Sequence, residues 1–264
     1  MANALLHKIN RHVSIYHIPR STFSENKIML NIGSGDWSCK GWTNLDHPSE
    51  WYAKAQKNHI FTPYDIRNDM IPFADESVDV IYCRHVIEHI ENIYIKKMLD
   101  ECFRVLKKGG IMRILCPDVE FQYEISKFVG IDFWNWRHNW AKKFCNNQKT
   151  IRNVDYLVAD VATPKMLQYV NSINKEDYMY YFETLDMNDF FEFLTQDLKF
   201  REEYPGDHIN YWTYEKIKKM LMESGFETVI RSKWGSSCVR EMRNTVLFDD
   251  TTGPKLSLYV DVIK

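Results

Sequence analysis

Short apolar runs that end on a glycine or a carboxylate dominate the first part of the chain. Lys27-Ile-Met-Leu-Asn-Ile32 is stopped by Gly33-Ser34-Gly35, and its nearly unbroken hydrophobicity predicts a strand buried on both faces, as in a parallel sheet. Trp42-Thr-Asn-Leu45 ends on Asp46, residues 59–64 deliver Asp65, and Val78-Asp-Val-Ile-Tyr-Cys83 forms a further run, so three more strands are expected. From Val86 to Leu106, the positions Ile90, Ile93, Met98, Leu99, Phe103 and Leu106 recur mostly at helical spacing. Lys107-Lys108-Gly109-Gly110 then reads as a basic last turn and a glycine stop. Ile111-Met-Arg-Ile-Leu-Cys116, closed by Pro117, predicts a fifth strand. Alternating strands and helices imply right-handed crossovers and a parallel, doubly wound α/β sheet.

Residues 118–205 interrupt this rhythm. They are rich in aromatics (Phe133-Trp-Asn-Trp136, Trp140, Tyr178, Tyr180-Tyr181-Phe182, Phe190-Phe191) and read as an inserted helical cap. The alternation resumes with a helix from Tyr214 to Ser224 capped by Gly225, a strand Glu227–Arg231 and a closing strand Leu256–Ile263. The expected organisation is therefore a core of residues 1–117 and 206–264 with a substrate cap at 118–205.

Composition narrows the function classes. With 264 residues, 45% of them hydrophobic, the chain can bury one substantial core plus an insertion. Lys and Arg number 34 against 36 Asp and Glu, a balance without the global basic field that a nucleic-acid partner requires. The cysteines at 39, 83, 102, 116, 145 and 238 form no Cys-x-x-Cys pair and mostly sit in apolar runs, which suits reduced thiols in a cytoplasm. Met1 to Phe23 is broken by Lys8, Arg11, His12 and Arg20, so neither a signal peptide nor a membrane span is expected there or elsewhere.

A strand running into Gly-x-Gly lets backbone amides approach a ligand with no Cβ in the way, although Gly33-Ser34-Gly35 alone is a common turn. A carboxylate at the end of the next strand, Asp46, is placed to accept both hydroxyls of a ribose. Asp65 with Ile66 stands where a strand end could read an adenine amino group while an apolar side chain covers the ring. All three belong to the carboxyl edge of a parallel sheet, where nucleosides bind in such folds.

Four stretches carry a resemblance in order and spacing: Leu30-Asn-Ile-Gly-Ser-Gly35, Asn44-Leu-Asp46, Ile71 through Ile90 with its Cys83-Arg-His-Val-Ile-Glu-His89 core, and Glu101 through Gly110. Together they resemble the successive motifs of class I S-adenosylmethionine-dependent methyltransferases of the type 11 kind. His208-Ile-Asn-Tyr-Trp-Thr213 and Glu223-Ser-Gly-Phe226 are similar to that family's later helix and strand. The resemblance implies a Rossmann-like sheet with an antiparallel last strand and a bound S-adenosylmethionine. Gly33, Ser34 and Gly35 would face its methionyl part, Asp46 its ribose, Asp65 and Ile66 its adenine, and Cys83, Arg84 and His85 the edge beside the sulfonium. The closing Phe248-Asp-Asp and Ser257-Leu-Tyr-Val resemble a branch associated with bacterial surface-polysaccharide pathways, which implies O-methylation of a small sugar-like, phosphate- or nucleotide-linked acceptor.

The chain departs from the family at two places. Asn31 stands where an acidic residue is usual and Trp37 where a third glycine is usual, and only eleven positions separate Gly35 from Asp46. That is too short for a crossover helix plus strand, so the first crossover is expected to be a loop.

Methyl transfer from a sulfonium asks the protein for in-line alignment and, with a hydroxyl acceptor, a proton acceptor. His85 and His208 are the catalytic candidates, each against an alternative in which it only hydrogen-bonds its surroundings. Arg240 and Arg243, between the last two strands, are a candidate anion clamp for the acceptor; Arg137, Lys142, Lys143, Lys149 and Arg152 among the cap aromatics are a second. His85-Val-Ile-Glu-His89 also matches a His-x-x-Glu-His zinc pattern, but no downstream ligand is identifiable in the sequence, so no metal is expected. Tyr123-x-x-x-Lys127 and Tyr214-x-x-x-Lys218 keep a nicotinamide enzyme as a distant alternative; an N-methyltransferase and a non-catalytic cofactor-binding protein are nearer ones.

Overall fold

A computed structural model describes residues 27–138, 152–166, 175–248 and 255–264. The start of the chain and the cap cations Lys142, Lys143 and Lys149 lie outside the described residues, as do Trp140, Asp249 and Asp250.

Seven strands form one sheet in the order β3-β2-β1-β4-β5-β7-β6. They are β1 (Met29–Ile32), β2 (Trp42–Asp46), β3 (Thr62–Pro63), β4 (Val78–Arg84), β5 (Leu106–Pro117), β6 (Thr228–Ser232) and β7 (Ser257–Ile263). The pairs β1/β2, β1/β4, β2/β3 and β4/β5 are parallel, while β7 runs antiparallel to both β5 and β6. This is the Rossmann-like doubly wound sheet with a reversed last strand. The strand order reverses beside β1, so a crevice opens at the carboxyl ends of β1 and β4.

The helix α1 spans Ala53–Gln56, and α2 spans Asn92–Val105. The predicted start of α2 at Val86 is wrong by six residues: Ile87–His89 form a separate 3-10 turn, and the helix begins only after an extended Ile90. Its end differs as well. Lys107 to Gly110 do not close the helix but open β5, where Gly109 N–H donates to the Lys264 carbonyl and Lys264 N–H donates to that of Gly110. Pairing with the C-terminal strand claims backbone groups that a helix cap would otherwise use.

Between β5 and β6 come α3 (Val119–Phe128), α4 (Asn153–Val161), α5 (Thr163–Met166), α6 (Lys175–Thr184), α7 (Met187–Thr195) and α8 (Tyr214–Glu223). One face of the sheet packs on α2 and α8 through Leu30, Ile32, Ile81, Cys83, Ile114 and Val260 against Ile95, Leu99, Cys102, Ile217 and Leu221. The opposite face buries Met29, Trp42, Val80, Tyr82, Leu115 and Tyr259 under Val239, Met242 and Phe248. β1 passes to β2 without a helix, as its eleven-residue spacing requires, and Trp37 from that loop packs against this second face. The helices α3, α4, α6 and α7 enclose their own cluster, in which Trp134 stacks on Tyr156 at 5.0 Å. No helix among the described residues is long and apolar enough to cross a membrane, and Cys39, Cys83, Cys102, Cys116 and Cys238 are free thiols.

Candidate functional site

The carboxyl ends of β1, β2 and β4 border a cavity of about 400 Å³, within the range of small-molecule sites. Gly33, Ser34, Gly35, Asp46, Asp65, Ile66, Arg84 and His85 all line it. Gly33 has φ +66, and a Cβ on it would meet Val86 Cγ2 at 2.2 Å, so only glycine lets the chain leave β1 at this point. The next glycine serves a carboxylate: Gly35 N–H donates to Asp46 Oδ2 at 2.7 Å and His47 N–H donates to Asp46 Oδ1 at 2.9 Å. Asp46 is thereby fixed at the strand end with lone pairs left for a ligand.

Asp65 is arranged differently from the expectation. Its carboxylate accepts from Arg67 N–H, Arg67 Nε, Arg67 Nη2 and Asn68 Nδ2, all at 2.8–2.9 Å, which uses its acceptor capacity inside its own turn. Asp65 therefore holds Arg67 against the pocket and is not poised to read a base. Burial works against ionisation, but the hydrogen bonds and charge of Arg67 hold its carboxyl below the ordinary range. The backbone of Ile66 remains the polar edge available at this end.

Cys83 does not reach the cavity. Successive side chains on a strand alternate faces, so its neighbours Tyr82 and Arg84 line the pocket while Cys83 is fully buried in the core under α2. Arg240 and Arg243 are also absent from the lining. They lie in a 3-10 turn that buries Met242 under the sheet, and Arg243 Nε donates to the Ser237 carbonyl at 2.8 Å. No anion clamp faces the pocket from there. The Tyr123–Lys127 pair does meet, at 2.9 Å, but inside the cap cluster.

His85 lines the pocket with φ +53, a left-handed conformation that costs a β-carbon-bearing residue about 1–2 kcal/mol. Its Nδ1 is 2.9 Å from Glu88 Oε1 and its Nε2 is 3.1 Å from Ser257 Oγ. Glu88 is fully buried, which opposes ionisation, yet the His85 hydrogen bond holds its carboxyl down at about 2. His208, expected beside His85, does not line the pocket. It stands edge-on to His89 at 4.8 Å, on the other side of Glu88, because Ile209 N–H and Asn210 N–H both donate to the Glu88 carbonyl and pin this segment to the 3-10 turn.

Several lining residues were not singled out from the sequence: His47, Tyr52, Tyr64, Tyr82, Phe200 and Pro205; His89, noted there only within the His-x-x-Glu-His pattern, lines it as well. The Tyr64 hydroxyl is buried without a hydrogen-bond partner, and burial raises its pKa strongly. Burial, reinforced by Asp46, Glu88 and Asp207, pushes the Tyr52 hydroxyl up to about 12. Both phenols are neutral donors at any ordinary pH.

A family model described as a methyltransferase domain matches residues 42–114. No curated protein matches the chain. Among solved structures, a S-adenosylmethionine-dependent methyltransferase from Mesorhizobium loti is similar at 13% identity with a TM-score of 0.44, over 93% of this chain and 95% of its own. One from Archaeoglobus fulgidus has 12% identity and a TM-score of 0.42, over 99% and 94%. The chain spans about half, 51%, of the citrinin polyketide synthase CMeT domain structure, with 99% of this chain covered at 11% identity and a TM-score of 0.42.

Proposed function

We propose that this S-adenosylmethionine-dependent methyltransferase methylates a hydroxyl of a small sugar-like acceptor, phosphate- or nucleotide-linked, in the cytoplasmic assembly of a surface polysaccharide. The observation that supports this reading is the Asp46 carboxylate, fixed by the Gly35 and His47 amides beside a glycine turn in which a Cβ at Gly33 would collide with Val86. In this reading Asp46 takes the ribose hydroxyls, and the Ile66 backbone and the neutral Tyr64 hydroxyl serve the base end. Gly33, Ser34 and Gly35 admit the methionyl part. When bound, S-adenosylmethionine supplies a methyl group already activated on a sulfonium.

The remaining work falls to the residues around His85. His85 is oriented by Glu88, whose carboxylate accepts from Nδ1–H and so leaves the Nε2 lone pair to take a proton. His85 is thus the residue that receives the acceptor proton, with Ser257 beside its Nε2. A hydroxyl acceptor needs such a proton acceptor during methyl transfer, whereas an amine that is already neutral does not. Residues 118–205 act as the acceptor cap, with Phe200 and Pro205 already in the lining.

The test is S-adenosylhomocysteine release against a panel of nucleotide sugars, sugar phosphates and small amines. Release with a hydroxyl acceptor and not with amines is expected. Amine-only turnover, or cofactor binding without turnover on any member, would replace the reading with N-methylation or with a non-catalytic binder. Asp46→Ala should weaken S-adenosylhomocysteine binding about 100-fold, the loss of two charge-assisted hydrogen bonds.

A further inference from the structure

Glu88 presents a problem that the pocket chemistry does not solve. It is 1% exposed, and while Oε1 is taken by His85, Oε2 is buried with no hydrogen-bond partner. A buried carboxylate oxygen left alone is costly. Two imidazoles flank it. His89 Nδ1 is 2.9 Å from the Asp207 carbonyl and His208 Nδ1 is 2.5 Å from the Asp160 carbonyl. A carbonyl accepts only, so each Nδ1 carries the proton and each Nε2 is left with its lone pair. One ligand atom from each of Glu88, His89 and His208 lies within 4.8 Å of the others.

Three electron-pair donors thus converge with no proton donor among them. The arrangement is unfavourable as it stands and favourable around a cation. It also has the outer support that metal-binding histidines use, a carbonyl behind each Nδ1–H and a hydrogen bond on the second carboxylate oxygen.

We propose that Glu88, His89 and His208 form a binding site for a divalent transition-metal ion. Two imidazole nitrogens and one carboxylate suit Zn²⁺ and its first-row neighbours, whereas Mg²⁺ and Ca²⁺ prefer oxygen ligands. Three protein ligands leave a coordination position open, and His89 lines the pocket beside His85. An acceptor hydroxyl taking that position would be held next to the proton acceptor and made more acidic. That role, though not the ion site itself, rests on the reading of the pocket given above. The downstream ligand that the His85-x-x-Glu88-His89 pattern lacked in sequence is His208, brought in by the segment pinned to the Glu88 carbonyl.

The experiment titrates the EDTA-treated full chain with ZnCl₂ by calorimetry and, in parallel, measures the melting shift with S-adenosylhomocysteine. One zinc per chain is expected, with MgCl₂ at least 100-fold weaker. His208→Ala should weaken zinc at least 100-fold while keeping the S-adenosylhomocysteine shift, which shows that the variant is folded. Glu88→Gln should also weaken zinc; because Glu88 is buried, His208→Ala carries the decision if that variant fails to fold. Absence of zinc binding with a normal S-adenosylhomocysteine shift, zinc binding unchanged in His208→Ala, or magnesium binding as tight as zinc would each overturn the proposal. Zinc binding without any S-adenosylhomocysteine shift would instead sink the cofactor reading and leave the ion site standing.

Discussion

Two glycines two residues apart do different work. Gly33 has both a left-handed φ and no room for a methyl group, whereas Gly35, at φ +55, has open space where a Cβ would go. Gly33→Ala must therefore displace Val86 and the turn after β4 that carries His85, and it should abolish the melting shift with S-adenosylhomocysteine. Gly35→Ala pays only the backbone strain, about 1–2 kcal/mol, and should retain a measurable shift. Equal behaviour of the two variants would mean that the contact with Val86 is unimportant. The same attention to one atom separates the two strand-end aspartates. Asp46 accepts two amides and keeps lone pairs, while Asp65 spends its capacity on Arg67 and Asn68.

At the level of elements, the reversed strand β7 is held to β5 by more than its ladder. Arg113 lies opposite Asp261 in the register and pairs with it at 2.8 Å, with side chains 3% and 1% exposed. Cys238 N–H also donates to this carboxylate, tying the 233–248 segment to the sheet. Asp261→Ala strands a buried guanidinium and should cost about 3–5 kcal/mol in denaturant unfolding. A loss below 1 kcal/mol would show that Arg113 finds another partner or water. Helix α8 supplies a pH dependence. Lys216 lies over the Tyr211 ring at 3.7 Å, and burial pushes its ammonium down to about 8 although Glu192 and Cys116 favour the charge. Between about pH 8 and the ordinary lysine value, the unfolded chain holds a proton that the folded chain has released. Stability attributable to Lys216 therefore rises with pH across that window. Wild type should gain denaturant resistance from pH 8 to 10 relative to Lys216→Met, and parallel curves would refute the assignment.

Across the whole molecule, the segment leaving the cap closes one side of the pocket, with Phe200 and Pro205 in its lining. Arg67 stacks on Phe200 at 4.1 Å and pairs with Glu202, which also meets His47 at 3.2 Å. Arg67 is the main cause that holds the Glu202 carboxyl below its usual range, and Asp65 is held down by the same guanidinium against its burial. Both carboxylates support the closure at neutral pH and lose it as pH falls through their lowered values. S-adenosylhomocysteine affinity should thus hold from pH 7 down to about 5 in wild type and decline only as pH falls through and below the ordinary carboxylate range. Arg67→Met should bind more weakly at pH 7 with a flatter profile. The pairs are solvent-accessible, so high salt should mimic part of the substitution. An Arg67→Met profile superimposable on wild type would leave the strap without a role in retention.

By itself, the sequence determined the sheet, the short first crossover and the strand-end carboxylate Asp46. These follow from local rules: apolar runs make buried strands, eleven residues cannot hold a helix and a strand, and glycine frees the backbone. It misplaced the start of α2 and assigned Lys107 to Gly110 to the wrong element, because pairing with the distant C-terminal strand overrides a local glycine stop. It put Cys83 at the pocket where the strand's alternation turns it inward, and it expected Arg240 and Arg243 at a cleft they do not face. Only tertiary structure decided which histidines meet. His208 lies 119 positions from His89, and it reaches the buried Glu88 through main-chain hydrogen bonds whose partners leave no mark in residue type.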